Sequence, residues 1–175
     1  MQRSLVMTIL GKDRPGLVEC VAAAVAEHGG NWLESRMSRL GGQFAGIVRV
    51  EVPASRESVL MHALQNLDAS GLRVVVYSDS TPPVPDRPLL SRLEIIGQDR
   101  PGIVRQISHA LAGFGVNVEE LSSECSSAAM SGETLFKATA RLDIPASCNV
   151  AELRRALEKI AADLIVEIKL ESLGV

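Results

Sequence analysis

Two eight-residue stretches carry the chemistry this sequence offers. Residues 11–18 read Gly-Lys-Asp-Arg-Pro-Gly-Leu-Val and residues 97–104 read Gly-Gln-Asp-Arg-Pro-Gly-Ile-Val, identical at six of eight positions. Each follows a run of alternating apolar residues and precedes a run with an apolar residue every fourth position, which is the join between a strand and a helix. At such a join Pro15 and Pro101 suit the first helical turn, where a missing N–H leaves no bond unmade. Asp13 and Asp99 are expected to cap the helix or to set negative charge against the positive end of its dipole. Gly16 and Gly102 remove the β-carbon where another group would approach. The product is a helix N-terminus with free amides and little steric cover, suited to the carboxylate of a small molecule. The same residues would also start a helix well with no ligand at all.

Nothing else in the chain assembles into a reactive group. His28, His62 and His109 form no metal-binding pair at helical spacing, and no Gly-x-Ser-x-Gly occurs, so neither catalytic nor metal-ligating residues are expected. Gly41, Gly42 and Gly46 lack the Gly-Lys-Ser/Thr that would make them a phosphate loop, and read as a turn and a packed strand glycine. Cys20, Cys125 and Cys148 are odd in number and widely spaced, which suits reduced, mostly packed thiols, with Cys125, near the long loop, the one to test for exposure. Trp32 reads as a core residue, and Arg36, Arg39 and Arg49 as part of a mixed, solvated face diluted by Glu34 and Glu51. With 18 Lys and Arg against 21 Asp and Glu, the net charge of −3 supplies no basic cluster for a phosphate backbone. Direct nucleic-acid binding is therefore not expected. No apolar run is long enough to span a bilayer and the start lacks a signal peptide, so the expected location is cytoplasmic.

The elements that position these stretches come from an internal repeat. Asn31 and Asn117 follow the two motifs at equal distance, each after a helical pattern ending in glycine. Phe44 and Phe136, then Pro53 and Pro145, continue the match with six extra residues in the second copy, around 126–134. The Pro-rich stretch 79–88 reads as a semi-rigid linker, dividing the chain into a first unit, 1–78, and a second, 89–175. Alternation marks strands at 3–10, 44–52 and 72–77 in the first copy and at 90–97, 136–144 and 164–170 in the second. Leu17, Val21 and Val25, with Ile103, Ile107 and Leu111, mark the first helix of each unit. Leu60, Leu64 and Leu67 echo the stripe of Val150, Leu153, Leu157, Ile160 and Leu164 in the second helix. Further strands at 31–40 and 117–125 complete the order strand, helix, strand, strand, helix, strand.

That order predicts an α+β chain of two ferredoxin-like βαββαβ units, each an antiparallel four-stranded sheet with both helices on one face. The other face, with Thr8, Ile47 and Val75 in one copy and Glu94 and Thr139 in the other, mixes apolar and polar character. Some coverage by a neighbouring unit is expected there, and edge strands offer pairing between units or in a homodimer.

These motifs resemble those of ACT domains, small-molecule regulatory modules whose signature is a strand, Gly-x-Asp-Arg-Pro-Gly, a helix, then Gly and Asn at the next strand. The tandem arrangement, covering essentially the whole chain, resembles the glycine cleavage system transcriptional repressor family. The resemblance implies a non-enzymatic regulator that needs no cofactor and binds an amino acid, glycine in the first instance, at an interface between ACT domains. It also implies repression through an activator protein rather than through DNA. Carried over by position, the ligand residues would be Gly11, Asp13, Arg14, Pro15, Gly16 and Asn31, with Gly97, Asp99, Arg100, Pro101, Gly102 and Asn117 in the second copy. Loop amides would take the carboxylate, the asparagines the rest of the ligand backbone, and the aspartates its ammonium unless they serve as caps. ACT modules also resemble those of formyltetrahydrofolate deformylases, which implies the alternative of a subunit that controls a metabolic enzyme in trans. A catalytic domain of that kind is not expected within these 175 residues.

Overall fold

A computed structural model describes residues 1–79, 89–127 and 134–173. The chain divides into two compact units, Met1–Pro83 and Val84–Val175. The expected linker falls outside the described residues except for Asp79, which is bonded into the first unit. Its backbone N–H donates to the Ser4 carbonyl (2.9 Å) and its carboxylate pairs with Arg49 (3.0 Å). Most of the long loop at 126–134 also falls outside the described residues.

The first unit runs β1 (Gln2–Lys12), α1 (Leu17–Glu27), β2 (Asn31–Leu40), β3 (Gln43–Pro53), α2 (Glu57–Gln65) and β4 (Leu72–Ser78). The second repeats it as β5 (Leu89–Gln98), α3 (Ile103–Gly113), β6 (Asn117–Ser127), β7 (Thr134–Ile144), α4 (Val150–Leu164) and β8 (Val166–Ser172). Both sheets are antiparallel throughout, in the orders β2-β3-β1-β4 and β6-β7-β5-β8, so each is the predicted ferredoxin-like unit. The long edge strands are bulged at matching places, between Trp32 and Glu34 in β2 and between Val118 and Glu120 in β6.

Alternation decides which face is buried. Leu5, Met7 and Ile9 on β1 and Val48, Val50 and Val52 on β3 meet Leu17, Val21, Leu60 and Leu64 from the helices, in a core separate from that of the second unit. There Leu93, Ile95, Ala138, Ala140 and Leu142 meet Ile103, Ile107, Leu153 and Leu157. The second helices differ. Asn149 accepts from the amides of Ala151 and Glu152 (3.2 and 3.3 Å) and starts a 15-residue α4, whereas α2 has no side-chain cap and gives way after nine residues to a 3-10 turn over Asn66–Ser70. Leu67, expected on the helical stripe, lies in that turn.

A left-handed residue precedes each closing strand, Gly71 (φ 80°) after the 3-10 turn in the first unit and Ile165 (φ 57°) directly after α4 at the matching place in the second. This break puts Leu164 in the helix rather than in the closing strand, where alternation alone had placed it, and β8 begins at Val166. A β-branched residue is strained in that conformation, and Ile165 is 65% exposed, so its side chain returns little by packing. Ile165→Gly is expected to stabilise the second unit by about 1 kcal/mol, seen as a higher urea midpoint with an unchanged slope.

Candidate functional site

The loops β1–α1 and β5–α3 fold alike. Gly16 (φ 90°, ψ 0°) and Gly102 (φ 96°, ψ −1°) have the angles of the third residue of a type II turn, whose second position favours proline. The turn therefore demands the order Pro-Gly and keeps both prolines out of the helix. Pro15 and Pro101 lie in the turn that precedes Leu17 and Ile103, not in the first helical turn as the sequence suggested. The first helical bonds run from the N–H of Cys20 to Gly16 and from that of Gln106 to Gly102, each 2.9 Å. The amides of Leu17, Val18 and Glu19, and of Ile103, Val104 and Arg105, have no acceptor within their helices, and no side chain caps either one. Both loops thus bare a helix N-terminus.

Neither aspartate is the cap, because the left-handed glycine occupies that place. The Asp13 carboxylate instead pairs with Arg39 of β2 at 2.6 Å, and its N–H donates to the Gly42 carbonyl at 2.9 Å. The N–H of Asp99 donates to the Thr134 carbonyl at 2.9 Å. Arg14 donates to the Ser70 carbonyl at 2.9 Å, tying its loop to the end of the α2–β4 connection, while Arg100 donates to Gln98 Oε1 at 3.2 Å. Gly11 and Gly97 have a packing reason to lack a side chain. A Cβ on Gly11 would stand 2.8 Å from the Gly71 carbonyl oxygen, and one on Gly97 would stand 2.6 Å from Val166 Cγ1 and 2.8 Å from its Cα.

The structure does not bring the asparagines to these loops within one unit. Asn31 opposes Glu51, which opposes Ser4, whereas the loop begins beyond Gly11. At ~3.3 Å per residue the two groups lie roughly 23 Å apart along the sheet. Asn117 opposes Asp143, which opposes Leu90, and it is equally far from Gly97. An amino-acid backbone spans about 4 Å, so one ligand cannot touch both groups of the same unit.

Two residues that sequence reasoning passed over separate the loops. In the first turn α1 carries Glu19 where α3 carries Arg105, both exposed, and the next position is Cys20 in α1 but Gln106 in α3. The Nε2 of Gln106 lies 3.9 Å from where a Cβ on Gly102 would stand, which adds a donor to the bare amides. An anion at α1 meets a carboxylate; at α3 it meets a guanidinium and an amide donor. The signal was present as a charge reversal just downstream of the near-identical motifs.

The remaining candidates have ordinary roles. Trp32 is half-buried against the first core, and Arg36, Arg39 and Arg49 are each held in an ion pair, the last with Asp79. His28 shares a 2.7 Å hydrogen bond with the Ala24 carbonyl at the end of α1. Cys125 is exposed, Cys20 and Cys148 are half-buried, and burial pushes the Cys148 thiol above its ordinary pKa, away from thiolate reactivity. Among the described residues no three of His, Cys, Asp and Glu are grouped to hold a metal ion, and no helix is long and apolar enough to cross a membrane.

Two successive βαββαβ units, each baring a helix N-terminus behind a Pro-Gly turn, define a tandem repeat of the ferredoxin-like class. The chain belongs to the ACT domain family, whose model matches residues 3–77 and 93–171. It is similar to the glycine cleavage system transcriptional repressor of Escherichia coli (strain K12), at 24% identity over 164 residues, covering 93% of this chain and 86% of that protein. It is also 24% identical to phosphoserine phosphatase SerB2 of Mycobacterium tuberculosis, over 98% of this chain but 41% of the enzyme. Among solved structures, an unknown protein from Galdieria sulphuraria superposes with a TM-score of 0.86 at 31% identity, covering 99% of this chain and 100% of that one. A structure provisionally described as a glycine cleavage system transcriptional repressor gives a TM-score of 0.72 at 19% identity, covering 100% and 99%, and attests the fold.

Proposed function

We propose that this protein is a non-enzymatic, amino-acid-responsive regulator that acts by binding a transcription activator protein rather than DNA. The observation that carries the ligand part is the bare N-terminus of α3 with Arg105 in its first turn. Uncapped helical amides and the helix dipole favour an anion there, and Arg105, exposed in the same first turn, adds positive charge to that end of the helix. The likeness to the Escherichia coli repressor along nearly its whole length supports the choice of regulator and of glycine as the first ligand to test. Ligand binding then shifts the chain between states that the activator recognises unequally. The likeness to part of SerB2 favours a second reading, in which the same module controls a metabolic enzyme in trans.

Calorimetry and thermal shift with glycine, serine and other amino acids test the first step. A ligand at 100 times its dissociation constant adds about 2.7 kcal/mol to stability, a rise of a few degrees in Tm for units of this size. The expected result is a selective rise with glycine; no rise with any amino acid overturns the ligand assignment. Affinity capture with and without the effective ligand separates the two readings. A transcription activator among the retained proteins supports the first, and a metabolic enzyme in its absence supports the second.

A further inference from the structure

The loops that carry the two motifs are bonded into their units unequally. Arg39 Nε of β2 meets the Asp13 carboxylate at 2.6 Å, the Asp13 N–H donates to the Gly42 carbonyl at 2.9 Å, and Arg14 Nη2 donates to the Ser70 carbonyl at 2.9 Å. These ties grip the β1–α1 loop from both flanks, the β2–β3 hairpin on one side and the 3-10 turn before β4 on the other. The β5–α3 loop has the backbone tie, Asp99 N–H to the Thr134 carbonyl at 2.9 Å, but not the other two. Its arginine turns back on its own strand, Arg100 Nη2 to Gln98 Oε1 at 3.2 Å, and among the described residues the Asp99 carboxylate has no hydrogen-bond or ion-pair partner. Register locates the cause. Arg39 opposes Phe44, which opposes Gly11, while Cys125 opposes Phe136, which opposes Gly97. Cys125 therefore stands at the place of Arg39, and a thiol there ends well short of where an arginine Nε reaches and is only a weak donor. At the other flank the first unit presents Ser70 in a 3-10 turn just before Gly71, whereas α4 runs on to Leu164 before the matching Ile165.

We infer that the two motif loops are a latched and an unlatched copy of one device: Arg39 and Arg14 hold the β1–α1 loop in place, while Cys125, at the place of Arg39, leaves the β5–α3 loop free to open. The motion meant is local opening of the folded unit, on the timescale that hydrogen exchange reads. An exposed ion pair by itself restrains little. Here the ion pair, the Arg14 bond and the backbone bond are all lost in a single opening of the same short loop, so their contributions combine on one event. The unlatched loop is the one whose helix carries Arg105. That a ligand works through its motion rests on the ligand reading above; the difference in motion between the loops does not.

Amide hydrogen exchange of the full chain by NMR, with no ligand added and each rate divided by the intrinsic rate for its sequence, tests it. Matching amides report the two loops. Asp13 and Asp99 donate to carbonyls of Gly42 and Thr134, and Cys20 and Gln106 donate to those of Gly16 and Gly102, all at 2.9 Å. The first of each pair is expected to be protected at least about 5-fold more than the second. Arg39→Ala combined with Arg14→Ala should remove most of that excess. Cys125→Arg, which restores a partner for Asp99, should raise the protection of the Asp99 amide about 2- to 5-fold. The amides that pair β1 with β3 should stay protected in every variant, which separates release of the loop from loss of the fold. Equal protection of the two loops in the wild type overturns the inference. So does an excess that survives the two arginine substitutions, which would assign it to the tight Gly41-Gly42 turn, and so does an Asp99 amide indifferent to Cys125→Arg.

Discussion

Gly97→Val is expected to remove about 3 kcal/mol or more from the second unit and to leave the first unit folded. The new Cβ would stand 2.6 Å from Val166 Cγ1 and 2.8 Å from Val166 Cα, and the second of these is backbone that cannot swing aside. Gly97 faces the core between Phe136 of β7 and Val166 of β8, so relief requires β8 to move away from β5 along the edge of the sheet. Overpacking of this kind costs ~1–3 kcal/mol where neighbours can adjust and more where they cannot. The two cores share no residue, so hydrogen exchange should show lost protection in β5, β7 and β8 while β1 and β3 keep theirs. Uniform loss in both units, or a change under about 1 kcal/mol, would contradict this account. A ligand-binding defect in any Gly97 or Gly11 variant would therefore report folding first, although both belong to the candidate ligand motif.

If the proposed ligand site is right, Arg105→Glu is expected to lower affinity for an amino-acid carboxylate by roughly 30-fold or more, with a stability change below about 0.5 kcal/mol. A charge-assisted hydrogen bond from the guanidinium is worth about 1.5–3 kcal/mol, and an acidic residue in its place opposes an anion at the same helix N-terminus. Arg105 is exposed and is not among the residues of the second core, so the fold should not register the change. The reciprocal variant, Glu19→Arg, should strengthen binding at α1, where the present carboxylate repels. Calorimetry on the pair reads both directions at once. Equal affinities for wild type and Arg105→Glu would mean that the bare amides of α3 do not hold the carboxylate.

Most of the fold was legible because duplication writes each element twice. The alternation from Phe44 to Val52 and from Phe136 to Ile144 fixed the strands and their buried faces, and the strand β2 lies at Asn31–Leu40 as read. What failed depended on backbone conformation or on distance along the sheet. Leu164 satisfies both the helical stripe and the strand alternation, and only the left-handed Ile165 decides between them. The capping role of Asp13 was a local inference, defeated by Gly16 inside the turn and by Arg39, which reaches Asp13 from another strand. The asparagines and the loops are close in sequence order but are separated by the whole length of α1, which carries the chain to the opposite end of the sheet. The charge reversal between Glu19 and Arg105 was visible, and it was missed because the motif just before it matches so well.

The bulges of β2 and β6 bear on how such a chain survives its own synthesis. Each of these edge strands leaves a row of backbone donors and acceptors open to any extended segment, and a 10- or 11-residue edge is long enough to template fibres. A bulge after Trp32 and another after Val118 break the spacing of that row and sharpen its twist, so a straight strand cannot dock along its full length. The same irregularity in both copies guards a nascent chain, which exposes two such edges in succession, against uncontrolled polymerisation.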